Sequence, residues 1–240
     1  ASSIYKTRLQ EYKVSSAKSY EESREALVAK YGDESDEVKA LDEHFGVGRF
    51  ATFKNVTFDD FIKTVPEFAN GANTELAEQA YRLWGEEKWD ELYELFVNHN
   101  FNDSWPPFNG AKSIFKRESG SQLVGKIFDR FQGAGQISGE YASPVYQGEG
   151  IGDLLFTYDS RALESNIREG TNYLKFRFLD NIPNDVVFEY GEVIPWFGKQ
   201  GLGDQIKSSK PFAFLWNDGD GVIEIIERFE YRNGQWIKIE

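Results

Sequence analysis

The sequence predicts an α+β fold, with a helical N-terminal part followed by a strand-rich, mainly antiparallel part. Two patterns carry this expectation. Apolar residues recur at helical spacing through the first 104 residues, and beyond Trp105 β-branched and aromatic residues alternate with polar ones between glycine-rich turns. The chain has 240 residues, 40% of them hydrophobic and 16% aromatic, which is enough to bury a sizeable core. The expected organisation is residues 1–104 as a helical subdomain and 105–240 as a β-rich domain that holds the chemistry.

In the helical part, "YEESREALVAKYGDESDEVKALDEHF" offers two short amphipathic segments broken near Gly32. Leu27, Val28 and Tyr31 are apolar on the first, and Val38, Leu41 and Phe45 on the second. "TFDDFIKTVPEF" places Thr57 as an N-cap before Phe58, Phe61 and Ile62, and Pro66 closes that helix. "NTELAEQAYRLWGEEKWDELYELFVNHN" reads as a helix pair pivoting at Gly85, with Leu76, Ala80, Leu83 and Trp84, then Trp89, Leu92, Leu95 and Phe96, as buried stripes. Farther on, "YLKFRF", "DVVFEY", "FAFLW", "VIEIIERFEYR" and "QWIKIE" read as strands, the last three forming a terminal meander. Asn233-Gly234 is the hairpin turn signal, and "NDGDG" at 217–221 is read as a turn in preference to a calcium loop.

Composition removes several classes of function. Cysteine is absent and there are two histidines, His44 and His99, so thiolate metal sites, a Cys nucleophile and a three-His zinc site are all ruled out. The net charge of −13 repels nucleic acid and anionic lipid, and no apolar run is long enough to span a bilayer. Residues 1–104 hold 12 Lys and Arg against 21 Asp and Glu (net −9), and residues 105–240 hold 15 against 19 (net −4), so the second part suits an anionic ligand better. Met is also absent, which leads us to expect a processed product or a piece of a longer protein.

Five stretches carry candidate chemistry. "PWFGKQGLGDQ" puts Trp196, Phe197, three glycines and Gln205 into one loop, where glycines let backbone approach a ligand. "FDRF" and "YDSRALESN" supply Arg130 and Arg161, whose planar forks match paired phosphate oxygens. "GEYASP" supplies Tyr141. "WPPFNG" is a rigid connector whose Trp105 and Phe108 offer a stacking face. No G-x-G-x-x-G or P-loop is present, so a dinucleotide would be consumed and not carried as a redox cofactor.

Taken in order, "WPPFNG", "FDRF", "GEYASP", "RAL" and "PWFGKQGLGDQ" resemble the tuberculosis necrotizing toxin family of NAD glycohydrolases, over roughly residues 105–209. The resemblance implies cleavage of the nicotinamide–ribose bond of NAD(P)+, with the dinucleotide as substrate and no cofactor or metal. It assigns Gln205, Arg130 and Tyr141 as catalytic, and Arg161, Phe108, Trp196, Phe197, Gly201 and Gly203 as substrate-binding. It further implies a secreted toxin acting in the cytosol of a target cell, with a cognate immunity protein as partner. Two other classes compete with it. One is a protein ADP-ribosyltransferase using Glu192 or Glu149. The other is a non-enzymatic acidic immunity or adaptor protein that binds through its charged face.

Overall fold

In the computed structural model, the residues described are 24–39, 56–134, 137–145, 150–216 and 221–239. The fold is α+β. Helical stretches α1 (24–31) and α2 (36–39) are separated at Gly32, which takes φ 92°, as the sequence leads one to expect. Val38 is buried, Tyr31 is exposed, and Leu41 and Phe45 lie outside the described residues. Helix α3 (Phe58–Ile62) starts at Thr57, whose Oγ1 accepts from the Asp60 amide at 3.1 Å. Helices α4 (Thr74–Gly85) and α5 (Trp89–His99) form the expected pair around Gly85. Ala77, Ala80, Leu83 and Trp84 of α4 and Leu92 and Phe96 of α5 are buried.

Eight strands follow. They are β1 (Ala111–Ser119), β2 (Ile127–Gln132), β3 (Tyr141–Pro144), β4 (Asn172–Phe178), β5 (Val187–Val193), β6 (Asp204–Ser208), β7 (Ile223–Arg232) and β8 (Gln235–Lys238). They form one antiparallel sheet in the order β1-β5-β6-β3-β2-β4-β7-β8. "FAFLW" is the exception among the expected strands: Phe212–Leu215 is a single helical turn, α6, begun by Pro211, whose φ of −56° suits a helix start. The terminal meander is therefore a hairpin, β7–β8, turning at Asn233 (φ 51°) and Gly234 (φ 78°), with β7 paired to β4. Asp218 and Asp220 of the "NDGDG" turn lie outside the described residues.

The sheet is strongly coiled, and β3 is its corner. Tyr141 and Ala142 pair with Lys207 and Ile206 of β6, whereas Ser143 and Pro144 pair with Asp129 and Phe128 of β2. A strand that changes partner midway turns the sheet. In a flat sheet β4 and β5, four places apart, would be separated by about 19 Å. Here the rings of Phe178 and Phe188 stand 5.1 Å apart, and Phe128 and Phe188 4.9 Å apart. The concave face thus closes on a phenylalanine core with Phe176, Ile206 and Phe212, each such ring contributing about 1.5–3 kcal/mol by leaving water.

The helices pack at the convex side. Their core of Phe61, Phe68, Trp84, Leu92 and Phe96 continues without a break into Val193, Ile194 and Trp196 from the end of β5, so this cluster runs across residue 105. The Trp196 indole donates to the Ser104 carbonyl at 2.8 Å and fixes that junction.

Candidate functional site

Period-2 alternation decides what faces the convex side. On β3 and β6, Ala142 and Ile206 enter the concave core, so Tyr141 and Gln205 face outward. They are diagonal neighbours: Lys207 lies directly across from Tyr141 and Gln205 two residues along, about 7–8 Å away at the backbone. The residue opposite Gln205 on β5 is Gly191, which adds no side chain to the outer face. Gln205, expected in the loop, therefore stands on a strand, one residue into β6.

These two side chains enter an open cleft with about 360 Å³ of empty space, to which Trp105, Arg161, Trp196 and Phe197 also contribute. Trp105 forms its aromatic wall, 6.3 Å from Tyr141 and 5.8 Å from Phe197, with its indole N–H held by Asn109 at 3.0 Å. Among the described residues, neither the Gln205 carboxamide nor the Tyr141 hydroxyl has a hydrogen-bond partner. Burial, reinforced by Glu140, pushes the Tyr141 phenol up to about 12, so it is a neutral donor at physiological pH. Three non-glycine residues at the cleft hold positive φ: Asn109 (54°), Ala162 (45°) and Phe197 (52°). Such conformations persist only where the surroundings enforce them, and they concentrate at functional sites.

The glycines serve the scaffold. A Cβ on Gly201 would lie 2.6 Å from the Pro195 nitrogen, and one on Gly203 would lie 2.8 Å from both the carbonyl oxygen and the Oγ of Ser160. Their amides donate to Asp159 and Ser160 carbonyls at 3.0 and 2.9 Å, while the Val193 amide donates to the Gly203 carbonyl at 2.9 Å and the Leu202 amide to the Val193 carbonyl at 2.7 Å. The glycines allow two backbone segments to touch beneath the cleft, and Gln205 and Phe197 are aimed as a result.

Arg130 and Arg161 lie on opposite faces of β2. Asp129 and Arg130 are adjacent in that strand, not beyond it, so they point apart. Asp129 faces outward and meets Arg161: Nη1 lies 2.7 Å from Oδ1, close in charge but not aligned as a hydrogen bond. Nε and Nη2 of Arg161 donate to the Phe156 carbonyl at 3.0 and 2.7 Å, its guanidinium lies over Phe131, and Tyr173 donates to Asp129 Oδ2 at 2.7 Å. With Arg161 3% and Asp129 1% exposed, this network is committed internally. Only the edge of Arg161 borders the cleft. Arg130 faces the concave side, 4.4 Å over the Phe212 ring, donating to Gln132 and to the Ser138 carbonyl. Burial without a carboxylate partner among the described residues lowers it to about 10, so it stays charged. It pins residues 138–139, directly before Tyr141, and Phe212 bonds the Gly139 carbonyl in the same place.

Phe108 turns away from the cleft and packs 5.2 Å from Trp84 and 6.3 Å from Phe61. The stacking surface that the connector presents is Trp105. Sequence reasoning also passed over Glu164, an exposed carboxylate at the cleft rim, and no pattern in its surroundings marks it. Glu192 lies on β5 opposite Asp204, and Glu149 lies outside the described residues.

No family model and no curated protein matches this chain. Among solved structures, it is similar to tuberculosis necrotizing toxin in complex with its immunity factor, at 20% identity, over 56% of this chain and 55% of that one, with a TM-score of 0.29. The chain therefore spans about half the length of that relative. Among the described residues, no helix is long and apolar enough to cross a membrane.

Proposed function

We propose that the chain is an NAD(P)+ glycohydrolase whose nicotinamide–ribose end occupies the Trp105–Tyr141–Gln205 cleft. The observation that carries this reading is the pair of partnerless polar groups, a carboxamide and a neutral phenol, set side by side under an aromatic wall. The motif resemblance to the NAD glycohydrolase toxins supports it from the sequence side. The indole of Trp105 stacks the flat pyridinium. As the glycosidic C–N bond breaks, its electron pair passes to the ring nitrogen and nicotinamide departs neutral. Water adds to the ribose carbon and releases a proton, giving ADP-ribose. No acid is needed for the leaving group. The site instead orients ribose and water and steadies the oxocarbenium-like carbon. Gln205 bonds the ribose and the attacking water, Tyr141 donates to a ribose hydroxyl, and the Glu164 carboxylate lies within the same cleft. Arg130 acts as a positioning residue through the segment before Tyr141, and Arg161 through the cleft wall. A secreted role, and blockage of the cleft by an immunity protein, belong to the same reading.

The test incubates the purified chain with NAD and follows nicotinamide and ADP-ribose by chromatography. Equal amounts of both products, abolished in Gln205→Ala at unchanged melting temperature and reduced in Arg130→Ala, are expected. Intact NAD after long incubation at high protein concentration would remove the reading.

A further inference from the structure

A second cleft lies behind the first, with about 700 Å³ of empty space. The two share one short 3-10 turn, Asp159–Arg161: Arg161 borders the first cleft and Asp159 the second, so their walls are two residues apart. The first cleft, with about 360 Å³ of empty space against about 700 Å³, is the smaller of the two and leaves the rest of a dinucleotide to be held elsewhere.

The chemistry of the second cleft is specific. Phe131, Tyr158 and Trp236 line it, with centroids 5.1 Å (Phe131–Tyr158) and 5.7 Å (Phe131–Trp236) apart. The rings touch one another, Tyr158 edge-on to Phe131 (84°) and Trp236 tilted to it (49°), so they form a continuous aromatic wall and not a box that could enclose an ammonium group. Such a wall offers one ring face to a flat ligand ring. Ile151, Leu154 and Ile167 close the remaining apolar surface, and no Lys or Arg is among the lining residues described. Asp159 stands at this cleft half-buried, and among the described residues its carboxylate has neither a hydrogen bond nor an ion pair. Two free carboxylate oxygens beside an aromatic surface accept the vicinal hydroxyls of a ribose. The Lys199 ammonium that Asp159 feels lies over the Tyr158 ring and donates to the Leu163 and Ser165 carbonyls, so it is committed outside the lining and the carboxylate repels a phosphate.

We propose that this cleft holds the adenosine half of the substrate and that Asp159 accepts its ribose hydroxyls, so that the chain prefers NAD to its 2′-phosphorylated form. The assignment rests on the dinucleotide reading above and names the second half of that site. Tyr158 is held in place through its hydroxyl, which donates to the Ser165 carbonyl, and Phe131 is fixed from behind by the Arg161 guanidinium, so the wall is formed before ligand arrives.

The experiment titrates adenosine and adenosine 2′-monophosphate into the full chain by calorimetry, and measures initial rates on NAD and NADP with the same preparation. Adenosine binds and the 2′-phosphate binds more weakly, on the order of tenfold, with a similar ratio in kcat/KM favouring NAD over NADP. In Asp159→Asn both ratios approach one while the melting temperature holds, because that carboxylate has no hydrogen bond or ion pair to lose. Trp236→Ala weakens adenosine without restoring the 2′-phosphate. NAD and NADP cleaved equally well, with adenosine binding indifferent to both substitutions, would overturn the assignment and leave the hydrolase reading standing. Adenosine binding that depends on Asp159 and Trp236, in a chain that leaves NAD intact, would sustain the nucleoside cleft and remove the hydrolase reading.

Discussion

Replacing Asp129 by alanine tests whether the Arg161 network is structural. The substitution strands a guanidinium that is 3% exposed and removes the acceptor of the Tyr173 hydroxyl. A buried cation left without its partner costs about 3–5 kcal/mol. With a urea slope of about 2–3 kcal/mol per molar for a chain of this size, the unfolding midpoint falls by about 1–2 M. The assay is equilibrium urea unfolding followed by tryptophan fluorescence and by circular dichroism, whose transitions must coincide. Asp129→Leu combined with Arg161→Met removes both charges and keeps apolar volume, so the double variant recovers most of the loss, to within about 1–2 kcal/mol of the parent. The thermodynamic cycle closed by Asp129→Leu alone and Arg161→Met alone then shows strong coupling between the two positions. A midpoint that moves by less than about 0.3 M in Asp129→Ala, or single losses that simply add in the double variant, would refute the claim that Arg161 is held internally. The guanidinium would then be available to a phosphate.

Two further predictions concern the cleft. Tyr141 keeps its proton in the folded chain up to about 12, against about 10 unfolded, so between those values the folded form binds more protons and stability falls as pH rises. That contribution is fully present below about pH 10, and urea midpoints across this window decline less steeply in Tyr141→Phe; parallel declines would contradict a buried hydroxyl. Gly203→Ala places a Cβ 2.8 Å from the Ser160 carbonyl oxygen and forces the two backbone segments apart, at about 1–3 kcal/mol, whereas Gly198→Ala, with nothing within 4 Å but φ 70°, costs about 1 kcal/mol. Equal small losses in melting temperature would deny the close approach.

Much of the fold was legible because it follows local rules. The Thr57 cap, the break at Gly32, the pivot at Gly85 and the Asn233-Gly234 hairpin each depend on residues within a few positions of one another. "FAFLW" failed because five apolar residues have too little length for either period to show, and Pro211 decided the matter. Of the candidate site residues, Tyr141, Gln205, Trp196 and Phe197 converge on one cleft. The two arginines could not be placed from sequence, since which of Asp129 and Arg130 faces outward depends on the concave core that captures Phe128. Adjacency alone does put those two on opposite faces once the stretch is read as a strand. Gly201 and Gly203 were identified as special for the right reason, close approach, but what approaches them is the chain itself. Nothing local distinguishes that from a ligand.

The corner strand has a consequence for the order in which the molecule assembles. With two residues paired to β6 and two to β2, β3 has no register until both halves of the sheet exist. The hairpin β7–β8 and the α4–α5 pair close short loops and can form early, while β3 waits for contacts distant in the chain. Tyr141 begins that strand. A half-folded chain can therefore possess its phenylalanine core and its helices and still lack a cleft, which is complete only once β3 has docked.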